Sequence, residues 1–223
     1  MIQLLLFGNE NTRMKLLLLS AVILVSFTCK AQSSDDFQDT RKKNESFVKL
    51  PKNNIRAEIA TFALSGIDEA VGKDELQKIP FTTFGDNFMN FSGDNIKASI
   101  QIAPFDKSKH KLLFDEKYLT KIDHKTYYGN YGNIPKTCSS YISLVTGGDS
   151  ITLPPIAYSD LYNLKLTYTD NGVVRSRNGI YLSKDGHRIY FYIFCKDNTG
   201  SYEVTWIFQD KIYLRRVLDY GFM

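Results

Sequence analysis

The amino-acid sequence predicts a mainly β fold, an antiparallel meander forming a sandwich or partial barrel, with one short N-terminal helical element. Three observations predict it. After Phe84 the apolar residues recur at every second position rather than at helical spacing. The alternating runs are joined by tight turns, which leaves no room for crossover helices. One run, "HRIYFYIFC", is apolar on both faces and suits a central strand covered on both sides.

Before the fold comes a segment with signal-peptide proportions. The apolar run at residues 16–27 follows Arg13 and Lys15 and precedes Lys30. It is shorter than the roughly 20 residues that a membrane-spanning helix needs. Cutting after Ala31 places Cys29 and Ala31 at the two small-residue positions and leaves Gln32 as the new first residue. A start at Met14, after the first 13 residues, gives a compact signal, and Met14 is the expected true start. The expected location is periplasmic or secreted. An alternative is a lipoprotein anchored through Cys29, but Ser26 and Thr28 stand where that signal normally has leucine and a very small residue.

Residues 32–54, "QSSDDFQDTRKKNESFVKLPKNN", are polar and aperiodic, and are expected to form a flexible leader to one domain at residues 55–223. The helical element falls in residues 55–81. Ile55, Ile59 and Phe62 recur at helical spacing, and "GIDEAVGKDELQKIP" has a helical look ended by Pro80, although Gly66 and Gly72 interrupt it. "NFMNF" and "NIKASIQI" then form a hairpin around the turn at residues 92–95, with Ile96, Ala98, Ile100 and Ile102 on one face. "HKLLF" and "KYLTKID" are further strands, followed by the Gly and Pro loop "YYGNYGNIPK".

"SYISLV" and "SITL" flank a turn at residues 146–149, stopped by Pro154 and Pro155. "AYSDLY" suits one helical turn started by Ser159 or Asp160. "NGIYLS" and "HRIYFYIFC" make the strongest hairpin signal in the chain. "SYEVTWIFQ" alternates Tyr202, Val204, Trp206 and Phe208 against Glu203, Thr205 and Gln209, which places Glu203 on a solvent face. "KIYLRRVLDY" returns after a short corner at residues 210–211.

The stretches "PFDKSKHKL", "YLTKID", "IPKT", "LPPIAYSDLYN", "YLSKDGHRIYFYIF" and "GSYEVTWIFQDKIYLRRVLDYGF" resemble an uncharacterised family of exported Bacteroidetes-type proteins. The resemblance covers most of the chain after about Asp94. It implies export and one domain, and assigns no activity or site residue.

Composition narrows the function classes. Removing residues 1–31 takes Arg13, Lys15, Lys30 and Glu10 from 28 basic and 24 acidic side chains, leaving 25 against 23. That balance argues against a nucleic-acid partner and gives no support to an inhibitor or immunity protein built on a charged patch. Cys138 and Cys195 are the thiols left after cleavage, and two readings of them stand. One is a disulfide closing 56 intervening residues, which in the chain-entropy model stabilises by roughly 4 kcal/mol. The other is two buried unpaired thiols.

Residues that carry chemistry are sparse, and no catalytic, cofactor or metal site is expected. The histidines are His110, His124 and His187, and neither "CSSYIS" nor "TGGDS" has the form of a nucleophile elbow. Asp123 and His124 are adjacent, so on a strand they point to opposite faces and cannot chelate together. "CKDNTGSYE" holds oxygen ligands without the spacing of a calcium loop. Asp115, Glu116, Asp123, Asp160 and Glu203 are the carboxylates available to the runner-up function, a periplasmic hydrolase built on carboxylates with Asp123, His124 or Glu203. The first expectation is a non-catalytic binding or envelope-interaction module. Its candidate surface is Tyr127, Tyr128 and Tyr131 in "TYYGNYGN", facing protein or carbohydrate, unless those rings fold back over one end of the sheet.

Overall fold

The computed structural model describes residues 45–221. The apolar run, the Ala31–Gln32 junction and Cys29 lie outside them. The first elements are a 3-10 turn at Phe47–Lys49, helix α1 (Asn54–Ile59) and a 3-10 segment at Leu64–Glu69. Strands β1 (Gln77–Ile79) and β2 (Phe81–Phe84) follow, separated by Pro80. Hairpin β3 (Phe88–Gly93) and β4 (Ile96–Pro104) turns through Asp94 and Asn95, both at left-handed φ. This is the chemistry of a two-residue hairpin turn.

Next come β5 (Leu112–Asp115), β6 (Tyr118–Ile122), β7 (Thr137–Thr146) and β8 (Asp149–Ile151). The chain continues through β9 (Tyr168–Asp170), β10 (Val173–Arg175), β11 (Gly179–Leu182), β12 (Arg188–Asp197), β13 (Gly200–Gln209) and β14 (Ile212–Tyr220).

The strands form two open antiparallel five-stranded sheets. Sheet I has the order β1-β11-β12-β13-β14 and sheet II the order β2-β3-β4-β7-β8, with β5-β6 and β9-β10 as separate two-stranded ribbons. The chain leaves sheet I at Ile79 and enters sheet II at Phe81. Proline between them cannot donate to either ladder, so the break falls where it costs least. The architecture is a sandwich, and no barrel closes among the described residues.

The core between the sheets follows the alternation expected for β4, β12 and β13. From sheet II come Met89, Phe91, Ile96, Ala98, Ile100, Ile142 and Leu144. From sheet I come Ile189, Phe191, Ile193, Val204, Trp206, Phe208 and Leu218. Phe191 stands edge-on to both Phe91 and Trp206, at ring centroid distances of 5.4 Å and 5.5 Å. Each such pair adds roughly 0.5–1.5 kcal/mol beyond the area that it buries.

Sheet I is covered on its other face as well. Tyr190, Tyr192 and Phe194 of β12, with Ile207 and Val217, pack against Phe47, Leu50, Ile59, Ala60, Ala63 and Leu76. This is the two-sided burial read from "HRIYFYIFC". It also moves the start of the fold, because residues 45–54 were expected in the flexible leader. Phe47 is 1% exposed, and full burial of such a ring contributes about 1.5–3 kcal/mol. Helix α1 has six residues, too few to persist alone in water. It is held by Ile59 beneath it and by a Glu58 carboxylate that accepts from Arg188 and from the Tyr190 hydroxyl.

Two local expectations fail. "DELQKIP" is not helical: Gly72 takes φ +76, and Gln77–Ile79 pairs with β11 as an edge strand. The turn in "AYSDLY" starts earlier, as a 3-10 turn at Pro155–Ala157 with proline at its first position.

Candidate functional site

The tyrosine loop does not present a binding surface. Tyr127 and Tyr128 are buried, and Tyr131 is half-buried. The Tyr127 hydroxyl donates to the Leu119 carbonyl at 3.0 Å and accepts from the Gly132 N–H at 3.1 Å. The Tyr128 ring lies 6.2 Å from that of Tyr202 and 6.0 Å from that of Tyr220. The loop is drawn in by Gly129, whose φ of +97 and close approach to the Tyr162 carbonyl leave no room for a side chain. It is then tied to the β12–β13 turn. The Asn130 N–H donates to the Asp197 carboxylate at 2.9 Å, and the Tyr131 N–H donates to Thr199 Oγ1 at 2.8 Å. Tyr128 thus joins the core between the sheets, whereas Tyr127 packs with Leu119, Ile122 and Tyr162 beside the β5–β6 ribbon.

Asp197 serves this turn rather than a cation. Burial opposes its charge, but hydrogen bonds from Thr199, Asn130 and Gly200 hold its carboxyl below the usual range. No group of three or more His, Cys, Asp or Glu able to hold a metal occurs among the described residues.

The hydrolase candidates separate in the same way. Asp123 and His124 sit in a turn rather than on a strand, at φ +51 and +61. Asp123 accepts from the His110 ring at 2.7 Å and from the Lys111 N–H at 2.8 Å, and these two bonds hold its carboxyl low. His124 is exposed. Asp160 grips Arg216 through two bonds of 2.6 Å.

Glu203 does not occupy a solvent face, because it is 2% exposed beneath the N-terminal layer. Its carboxylate accepts from the Leu64 and Ser65 N–H groups, each at 2.8 Å, and from the Tyr192 hydroxyl at 2.6 Å. It thereby satisfies backbone donors at the start of the 3-10 segment, which no carbonyl reaches.

Cys138 and Cys195 are both free thiols, so the disulfide reading is corrected. They lie on different sheets and face different backbone carbonyls: Cys195 Sγ donates to Asn163 O at 3.0 Å, and Cys138 Sγ to Ala103 O at 3.8 Å. Burial pushes the Cys195 thiol up to about 11, which makes it a poor nucleophile.

A groove on the outer face of sheet I was not found by sequence reasoning. It has a volume of about 340 Å³ and is open on one side. Phe194 forms its floor, and Lys196 follows two residues along the same face of β12. Lys165 to Tyr168, Arg177, Asp197 and Asn198 complete it, and the Asp197 carboxylate is taken up by the Asn130 N–H and by Thr199. The Arg177 guanidinium lies over the Phe194 ring at 5.1 Å and the Tyr168 ring at 5.9 Å. Lys165, Arg177 and Lys196 are exposed, and no carboxylate among the described residues pairs with them.

One buried amide builds this groove. Asn178, 1% exposed, donates to the Lys165 and Leu166 carbonyls at 3.2 Å and 2.9 Å and accepts from the Phe194 N–H at 2.9 Å. Three segments distant in sequence are pinned by this one side chain. The signals in the sequence that could have found it are the basic pair Arg175 and Arg177 and the change from Phe194 to Lys196 on one strand face.

No helix among the described residues is long and apolar enough to cross a membrane. Among known proteins, no family model, no curated protein and no solved structure matches this chain.

Proposed function

We propose that this chain is an exported, non-catalytic binding module whose ligand-facing surface is the groove around Arg177. The observation that carries the reading is the contrast between two sets of charges. Glu203, Asp160, Asp123 and Asp197 are engaged by backbone amides, Arg216 or His110. Lys165, Arg177 and Lys196 surround an aromatic floor without a carboxylate partner among the described residues. A concave apolar patch rimmed by polar groups is the form in which soluble proteins present binding sites.

Export is supported by the signal-like residues 16–31 and by the resemblance to an exported family. The hydrolase alternative has less support, because the Asp123 carboxylate is taken up by His110 and Lys111 and Glu203 holds backbone. The test is equilibrium binding of fluorescent envelope glycans and peptides, with each ligand recovered and weighed by mass spectrometry. Retention of an unchanged ligand supports the proposal. Recovery of a ligand cleaved with addition of water replaces it with the hydrolase reading.

A further inference from the structure

The geometry points to an acidic glycan, a sugar chain bearing carboxylates, as the ligand of the groove, which rests on the binding-module reading. Arg177 selects the charged group. Its guanidinium lies over two rings, so its flat face is occupied while its N–H donors remain in the plane. A carboxylate is the planar anion that such a fork holds through two parallel hydrogen bonds. Lys165 and Lys196 add positive charge along the same groove, against a single lining carboxylate, Asp197, whose oxygens accept from Asn130 and Thr199. The two lysines favour a chain with repeated carboxylates over a single anion.

The neutral residues among the lining suit a sugar. Tyr168 is 44% exposed and offers a ring to the C–H face of a pyranose. Thr167 and Asn198 supply a hydroxyl and an amide for sugar hydroxyls. The open side admits the middle of a long chain rather than enclosing one small molecule. An acidic peptide fits less well. Extended peptides draw on the backbone of a sheet edge, whereas the Phe194 N–H in the groove floor is already bonded to Asn178.

The test is titration calorimetry of the purified protein with an oligogalacturonate at low salt. Its methyl ester, poly-glutamate and inorganic phosphate serve as comparison ligands. Oligogalacturonate should bind, the methyl ester should not, and Arg177→Ala should weaken binding by about tenfold or more. Arg177→Lys should recover only part of that loss, because it restores the charge without the fork. Tyr168→Ala should weaken binding roughly fivefold through lost stacking. These side chains are exposed, and an unchanged urea midpoint verifies that each variant folds.

Equal binding of the methyl ester, no binding of oligogalacturonate, or indifference to Arg177→Ala would overturn the assignment. Poly-glutamate or phosphate binding as tightly as the glycan would also overturn it, while leaving a binding module with another ligand. An oligogalacturonate recovered shortened would leave the groove standing and sink the non-catalytic reading.

Discussion

Replacing Glu203 with Gln tests whether the carboxylate on β13 is structural. In the native protein it accepts two backbone N–H groups at 2.8 Å and the Tyr192 hydroxyl at 2.6 Å, at 2% exposure. A glutamine keeps one accepting oxygen and turns an NH2 group toward a donor, so one buried N–H loses its partner, at about 1–3 kcal/mol. The remaining bonds lose their charge assistance, roughly 1 kcal/mol each. Against this, a neutral amide is cheaper to bury than a carboxylate, which returns about 1–2 kcal/mol.

The net expectation is a loss of about 2–3 kcal/mol, a large share of the 5–15 kcal/mol that holds a typical domain together. Tyr192→Phe removes one donor and leaves both backbone bonds, so it should cost about 1 kcal/mol. Urea unfolding measures both variants, and native-state hydrogen exchange at Leu64 and Ser65 locates the effect. An E203Q midpoint within about 0.5 kcal/mol of wild type, or unchanged protection of those two amides, would refute the structural role. It would return Glu203 to the list of catalytic carboxylates.

Four further outcomes follow from the same geometry. Asn178→Ala leaves the Phe194 N–H and the Lys165 carbonyl without their side-chain partner; it should cost about 2–4 kcal/mol in urea unfolding and weaken ligand binding in the groove. Gly129→Ala places a methyl group 2.2 Å from the Tyr162 carbonyl at φ +97, and thermal unfolding should show a loss of about 3 kcal/mol or more. Cys195 should resist iodoacetamide in the native protein at pH 8 and react once unfolded, as followed by mass spectrometry, because burial raises its thiol to about 11. A thiol whose folded pKa is raised favours the fold below its unfolded value and loses that contribution as pH climbs toward the folded one. Stability should therefore decline from about pH 8.5 to 11, and less so in Cys195→Ala.

The legible part of this protein is local. Ile96, Ala98, Ile100 and Ile102 all face the core, as their alternation requires, and both faces of "HRIYFYIFC" are buried. The hairpin turns at Asp94–Asn95 and Asp210–Lys211 fall where turn chemistry placed them. By contrast, Glu203 alternates with apolar neighbours in the same way that Lys97 does, yet Lys97 meets solvent and Glu203 meets the backbone of Leu64. Tyr127 and Tyr128 had the composition of an exposed loop, and the contact between Gly129 and Tyr162 that turns them inward joins segments 33 residues apart.

What the sequence determined by itself was the identity and turns of the longer strands and the apolar faces of β4, β12 and β13, because the direction of a side chain is set by the few residues around it. What only the tertiary structure decided was cover and convergence: which second face is buried, which carboxylate holds backbone, and which cations share a groove. Those depend on contacts such as Leu64 to Glu203, 139 residues apart. No local period encodes which distant segment will arrive to bury a face or leave it open.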